Sequence, residues 1–174
     1  FTQKMGKRQG QYYVPQRAEA GLDPWATPKA YNNMKDFFDT GITWSNNVNV
    51  SQNLDKGNYS FSLGNSHQEG IIPTTGMDRY NAKMSAEVQL SPNWSTGFNG
   101  NFQDKKAVSA NSGVTATIYN APVSYNMKGI PSHVEGDPYE QNTYRQAWID
   151  DAYWAVDNNL FTERSQRFFG NAFV

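Results

Sequence analysis

From Ile42 onward the chain alternates. Ile42, Trp44, Asn46, Val48 and Val50 interleave with Thr43, Ser45, Asn47, Asn49 and Ser51, a period of two that sends the two sets to opposite faces of a strand. Turn residues Asp55, Lys56 and Gly57 follow, and Tyr59, Phe61 and Leu63 then alternate with Asn58, Ser60, Ser62 and Gly64, which predicts a hairpin with a connection of about six residues. The longest run is Arg79 to Leu90, where Tyr80, Ala82, Met84, Ala86, Val88 and Leu90 interleave with Arg79, Asn81, Lys83, Ser85, Glu87 and Gln89. A helix would scatter these sets. Ser91 and Pro92 break the run, and Trp94, Thr96, Phe98, Gly100 and Phe102 begin a fourth strand. A fifth is predicted from Phe161 to the chain end, with its two faces poorly separated. Residues 1–41 show no steady period and are expected to be a long loop with one helical turn over Asn32 to Phe38. Residues 107–160 are expected to be a second long loop. The fold class that results is all-β: four antiparallel strands over 42–106 and a further one over 161–174.

Short and long connections alternate along this order. Antiparallel strands place successive connections at alternate ends, so the short turns share one end and the long loops the other, the asymmetry of outer-membrane barrels. Trp44 and Tyr80 then fall at the long-loop ends of their strands, and Tyr59 and Trp94 at the short-turn ends. All four lie on the apolar set, as the aromatic girdles of a lipid face would. The competing readings are a secreted carbohydrate-binding sandwich, whose apolar face packs on a second sheet, and a passive porin or adhesin barrel. Five strands cannot close a barrel, and open edges in lipid leave backbone groups unpaired. The expectation is therefore a piece of a larger barrel, starting inside a loop and ending inside a strand.

Composition sharpens this picture. The 174 residues carry 15 Lys+Arg against 16 Asp+Glu, a net charge of −1, which argues against a nucleic-acid partner. Leu, Ile and Val number 21, fewer than the 25 aromatics, so an aliphatic core is hardly available. There is no cysteine, and His67 and His133 stand far apart, which removes disulfide frameworks and thiolate or histidine zinc centres. No apolar run reaches the roughly 18 residues of a spanning helix.

The stretch FFDTGITWSNNVNVS, the block from NYSFSLGNSHQEGIIPTTGMDRY to NWSTGFNGNF, and the segments YNAPVSYNMKGIPSHVEGDPY and DNNLFTERSQRFFGN resemble the SusC/RagA group of TonB-linked outer-membrane transporters of Bacteroidetes. The resemblance covers the chain from about Asn33 onward. It implies an early segment of a multi-pass, 22-stranded barrel in a bacterial outer membrane, with residues 1–41 as the first extracellular loop. It also implies import of oligosaccharides or peptides, a SusD-like surface lipoprotein as lid, and energy from TonB, ExbB and ExbD through a plug and TonB box that these residues do not contain. No cofactor is implied.

Arg79, Lys83 and Glu87 would face the lumen or the plug, as a solute path or, more plainly, as ion pairs in a hydrated wall. Tyr139, Tyr144, Trp148, Tyr153 and Trp154 crowd the second long loop, where aromatic faces suit a lid or a sugar ring; packing of the loop on itself is the simpler role for any one of them. Glu135, Asp137, Asp150, Asp151 and Asp157 lack a calcium-loop spacing and are expected to be solvated. No catalytic motif is present, so no enzyme activity is expected.

Overall fold

The computed structural model describes residues 10–145 and 148–174. The chain divides into two compact units. One is a five-stranded antiparallel sheet built from β3 (Ile42–Leu54), β4 (Gly57–Glu69), β5 (Gly76–Ser91), β6 (Trp94–Ala110) and β9 (Leu160–Phe173), in the order β3-β4-β5-β6-β9. The other gathers β1 (Tyr12–Tyr13), α1 (Pro15–Glu19), β2 (Trp25–Ala26), α2 (Asn33–Phe37), α3 (Gly113–Asn120), β7 (His133–Val134), β8 (Asp137–Gln141) and α4 (Ala152–Asn158).

In the sheet, β3 and β4 pair without interruption from Ile42 opposite Glu69 to Leu54 opposite Gly57. The hairpin loop is thus Asp55 and Lys56 alone, shorter than expected, because the ladder runs on through Gln52 and Asn53. Backbone pairing does not require the side chains to alternate in polarity. The β5–β6 turn is equally tight, at Pro92 and Asn93. The other connections are longer, Gly70–Thr75 and residues 111–159, so the short turns share one end of the strands. In the first of them Thr74 adopts φ 64°, and its hydroxyl donates to the Val156 carbonyl at 2.8 Å. β6 extends to Ala110, into the region expected to be loop.

The second unit corrects the reading of 1–41 and 107–160 as loops. Its elements are too short to show a period: α1 starts at a proline preset for a first helical turn, and the β7–β8 turn uses Gly136 at φ 82°. Its core is Val14, Phe37, Val114, Ile118, Tyr125, Met127, Ile130, Tyr144, Ala152, Ala155 and Val156. Polar side chains tie distant segments within it. Gln16 Nε2 donates to the Thr143 carbonyl at 3.3 Å, Asn142 Nδ2 to the Gln16 carbonyl at 2.7 Å, and Asn33 Nδ2 to the Tyr125 carbonyl at 2.9 Å.

All buried hydrophobic residues among the described ones belong to this unit. The sheet has no core of its own. Met84, Leu63 and Phe98, which a sandwich would bury, are 50%, 47% and 41% exposed. No described helix is long and apolar enough to cross a membrane.

Candidate functional site

The register sorts the exposed apolar face of the sheet into rows. Trp44, His67, Asp78 and Lys106 make one; Asn46, Asn65, Tyr80 and Asp104 the next; then Val48, Leu63, Ala82 and Phe102; then Val50, Phe61, Met84 and Gly100. On β9, Gly170 stands opposite Gly100, a Cβ on it falling 3.2 Å from the Gly100 Cα, so Arg164 lies in the first row and reaches diagonally to Asp104, Nε to Oδ1 at 3.2 Å and Nη2 to Oδ2 at 2.8 Å. Two residues before Gly170, Phe168 falls opposite Phe102 in the third row, its ring reaching to 3.6 Å from where a Cβ on Gly100 would stand.

A line of aromatics crosses these rows obliquely. It passes through Trp44 on β3, Tyr80 on β5 and Phe102 on β6, dropping two rows across three inter-strand steps, and Phe168 on β9 lies level with Phe102. Two rows are about 13 Å along the strands and three steps about 14 Å across them, a slope of roughly 45°. Tyr59 on β4 and Trp94 on β6 define a lower line that descends in the same sense, two rows over two steps. Between Phe102 and Trp94 lie about 27 Å of strand, or on the order of 20 Å perpendicular to the lines.

Charge obeys the upper line. Glu69, His67, Asp78, Asp104, Lys106 and Arg164 all stand above it on this face, and below it the face carries no charged side chain down to Leu54, Leu90 and Trp94. His67 Nδ1 lies 2.6 Å from Asp78 Oδ1, and Gln166 Nε2 donates to Asp104 at 3.2 Å. The opposite face shows no such rule. Arg79, Lys83 and Glu87 are spread along its height with Lys105 opposite Arg79, and polar pairs such as Ser45–Ser66 and Ser60–Ser85 link the strands.

The structure places all four expected girdle residues on the exposed apolar face. Trp44, Tyr80 and Trp94 are open, and the Tyr59 hydroxyl donates to Gln52 Oε1 at 2.6 Å. Arg79, Lys83 and Glu87 share the other face, and none of the three makes an ion pair with another described residue. Arg79 Nε is buried without a hydrogen-bond partner. The spacing explains it: strand neighbours on one face are about 7 Å apart and Lys83 and Glu87 twice that.

The loop aromatics separate. Tyr139 and Trp148 are 82% and 88% exposed. Tyr144 is a core residue, its ring 5.7 Å from Tyr125 and its hydroxyl donating to the Thr117 carbonyl at 3.3 Å, so it is corrected from contact candidate to packing residue. Tyr153 lies half-buried with its ring edge-on to Phe37 at 5.1 Å, and burial pushes its hydroxyl up to about 12. The Trp154 indole donates to the Pro138 carbonyl at 3.2 Å. A groove of about 370 Å³ runs beside Tyr12, Pro15, Pro122 and Tyr125.

Asp151 also departs from expectation. It is buried, and its Oδ1 accepts from the Tyr153 and Trp154 amides at 2.9 and 3.1 Å, capping α4. Burial pushes its carboxyl up to about 6 against the pull of those two donors. The sequence signal was an Asp ahead of a short apolar run, a cap pattern; the adjacent exposed Asp150 masked it. Among the described residues no cluster of three or more His, Asp or Glu is arranged to hold a metal.

No protein-family model matches the chain, and a search of curated proteins returns no match.

Proposed function

We propose that the five-stranded sheet is part of a transmembrane β-barrel in a bacterial outer membrane, and that the protein is a TonB-dependent importer of the SusC/RagA kind, carrying oligosaccharides or peptides. The single observation that carries this reading is the oblique aromatic line below which one face of the sheet holds no charge. A plane that cuts strands at roughly 45° is what a bilayer surface does to a membrane barrel, whose strands tilt by about 35–45° and whose apolar band is about 25 Å tall. A soluble sheet has no physical reason to segregate charge along a slanted line. An exposed apolar face of this extent, with no core beneath it, needs a solvent other than water.

The free edges of β3 and β9 support a larger barrel, since unpaired edge groups in lipid cost several kcal/mol each. Further strands, 22 in all for this kind of transporter, complete the wall. In this reading the long-loop end faces the cell exterior, which the unequal connections support. There Tyr139 and Trp148 offer rings to a SusD-like lid lipoprotein or to the solute, while plug and TonB box couple the barrel to TonB, ExbB and ExbD. The barrel breaks no bond.

Two measurements test this. The complete gene product should fractionate with the outer membrane, need detergent for extraction, and take up solute only in cells with TonB; a product that purifies from the aqueous fraction as a folded monomer refutes the membrane assignment. Replacing Tyr139 and Trp148 by Ala should reduce recovery of the lipoprotein at least tenfold while leaving the barrel folded, whereas unchanged recovery removes the lid contact from this surface.

A further inference from the structure

A pair of amides interrupts the apolar face just beneath the aromatic line. Asn46 Nδ2 donates to Asn65 Oδ1 at 3.2 Å. The pair leaves the Asn46 carbonyl oxygen, one Asn46 amide hydrogen and both Asn65 amide hydrogens without a protein partner among the described residues. In water such groups are satisfied by solvent, but against hydrocarbon an unmet donor and acceptor are unfavourable. Directly below the pair, Val48, Leu63, Ala82 and Phe102 with Tyr80 line a shallow groove of about 480 Å³. Its floor is low because Ala82 stands between larger neighbours in its row.

We infer that this groove holds the chain of a membrane lipid attached through an amide linkage, with that amide bonded to Asn46 and Asn65. The inference rests on the membrane reading above. The depth fits: Asn46 lies one row below Trp44, about 7 Å along the strand and on the order of 5 Å in depth, where acyl linkages begin beneath headgroups. The chemistry selects the linkage. A carboxamide pair with one free acceptor and spare donors is matched on both sides by an amide, which donates to the Asn46 carbonyl and accepts from the spare hydrogens, whereas an ester accepts alone and leaves that carbonyl unmet.

The test uses the complete barrel in detergent and native mass spectrometry, with ceramide phosphoethanolamine and diacyl phosphatidylethanolamine of matched chain length as probes. They share a headgroup and differ at the linkage. The wild type should retain the amide-linked lipid about fivefold better, the scale of one net hydrogen bond. The N46V/N65V double variant should lose the preference while still inserting into vesicles, and Ala82→Leu, which fills the groove floor, should lose both lipids. Equal retention of the two lipids by wild type and variant in a barrel that inserts normally overturns the inference and leaves the membrane reading standing. A lipid-free dimer that covers this face also overturns it. A wild-type product that does not insert at all refutes the membrane reading itself.

Discussion

Replacing Met84 by Arg tests what bathes the sheet. Met84 sits between Phe61 and Gly100 and is half-exposed. On its own strand the aromatic line crosses at Tyr80, four residues away, and the apolar set ends at Leu90, six away. At a tilt of roughly 45° those spans correspond to about 10 and 14 Å of depth, so Met84 is near the middle of the band. An arginine on the lipid face at mid-depth costs about 2–4 kcal/mol, a shift of roughly 30- to 800-fold in the folded fraction. The same change on a water-exposed sheet stays within about 0.5 kcal/mol. Ser85→Arg, one residue along on the other face, is the control. It gives up the Ser60 hydroxyl contact at 2.7 Å, worth about 1 kcal/mol at most. Urea titration of the complete barrel folding into short-chain vesicles, read by heat-modifiable electrophoresis, gives both midpoints. Equal midpoints for Met84→Arg and Ser85→Arg refute a lipid-facing surface.

Other predictions concern the helical unit. The Asp151 carboxyl titrates at about 6 when folded and near 4 when unfolded, so the native state holds its proton more tightly. Its contribution to stability is complete below pH ~4 and is lost as pH rises through about 6. Asp151→Asn keeps the cap acceptor and removes that titration, so the wild type should lose stability relative to the variant by on the order of 1–3 kcal/mol between pH 4 and 7, read from hydrogen exchange at the Trp154 amide; parallel pH curves would contradict it. Phe37, 1% exposed and edge-on to Phe38 and Tyr153, should cost about 3–5 kcal/mol as Ala, seen as faster proteolysis within residues 10–40 and 110–161 while amide protection in the sheet is unchanged.

The strands were legible because their two faces meet different surroundings, and that difference is written as alternation. The strand ends were less so: Gln52 and Asn53 continue the ladder without the apolar partner that would have marked them. The slanted line needed the register, since Trp44, Tyr80 and Phe102 sit in no shared sequence frame until the strands are laid side by side. The helical unit was illegible for another reason. Its contacts join residues more than a hundred apart, Gln16 to Asn142 for instance, so no local window contains its period. Tyr139 and Tyr144, or Asp150 and Asp151, are alike in sequence and opposite in burial, and only the closed core distinguishes them.

That closed core sets an order of assembly. Val14 and Phe37 share a core with Ile118, Tyr144 and Val156, which follow more than eighty residues later, so residues 10–40 stay unfinished until Val156 has emerged. The β3–β4 and β5–β6 hairpins, by contrast, close over two residues each and need nothing downstream. Until then residues 10–40 travel with Phe37 and Tyr12 uncovered, a natural handle for a holdase chaperone.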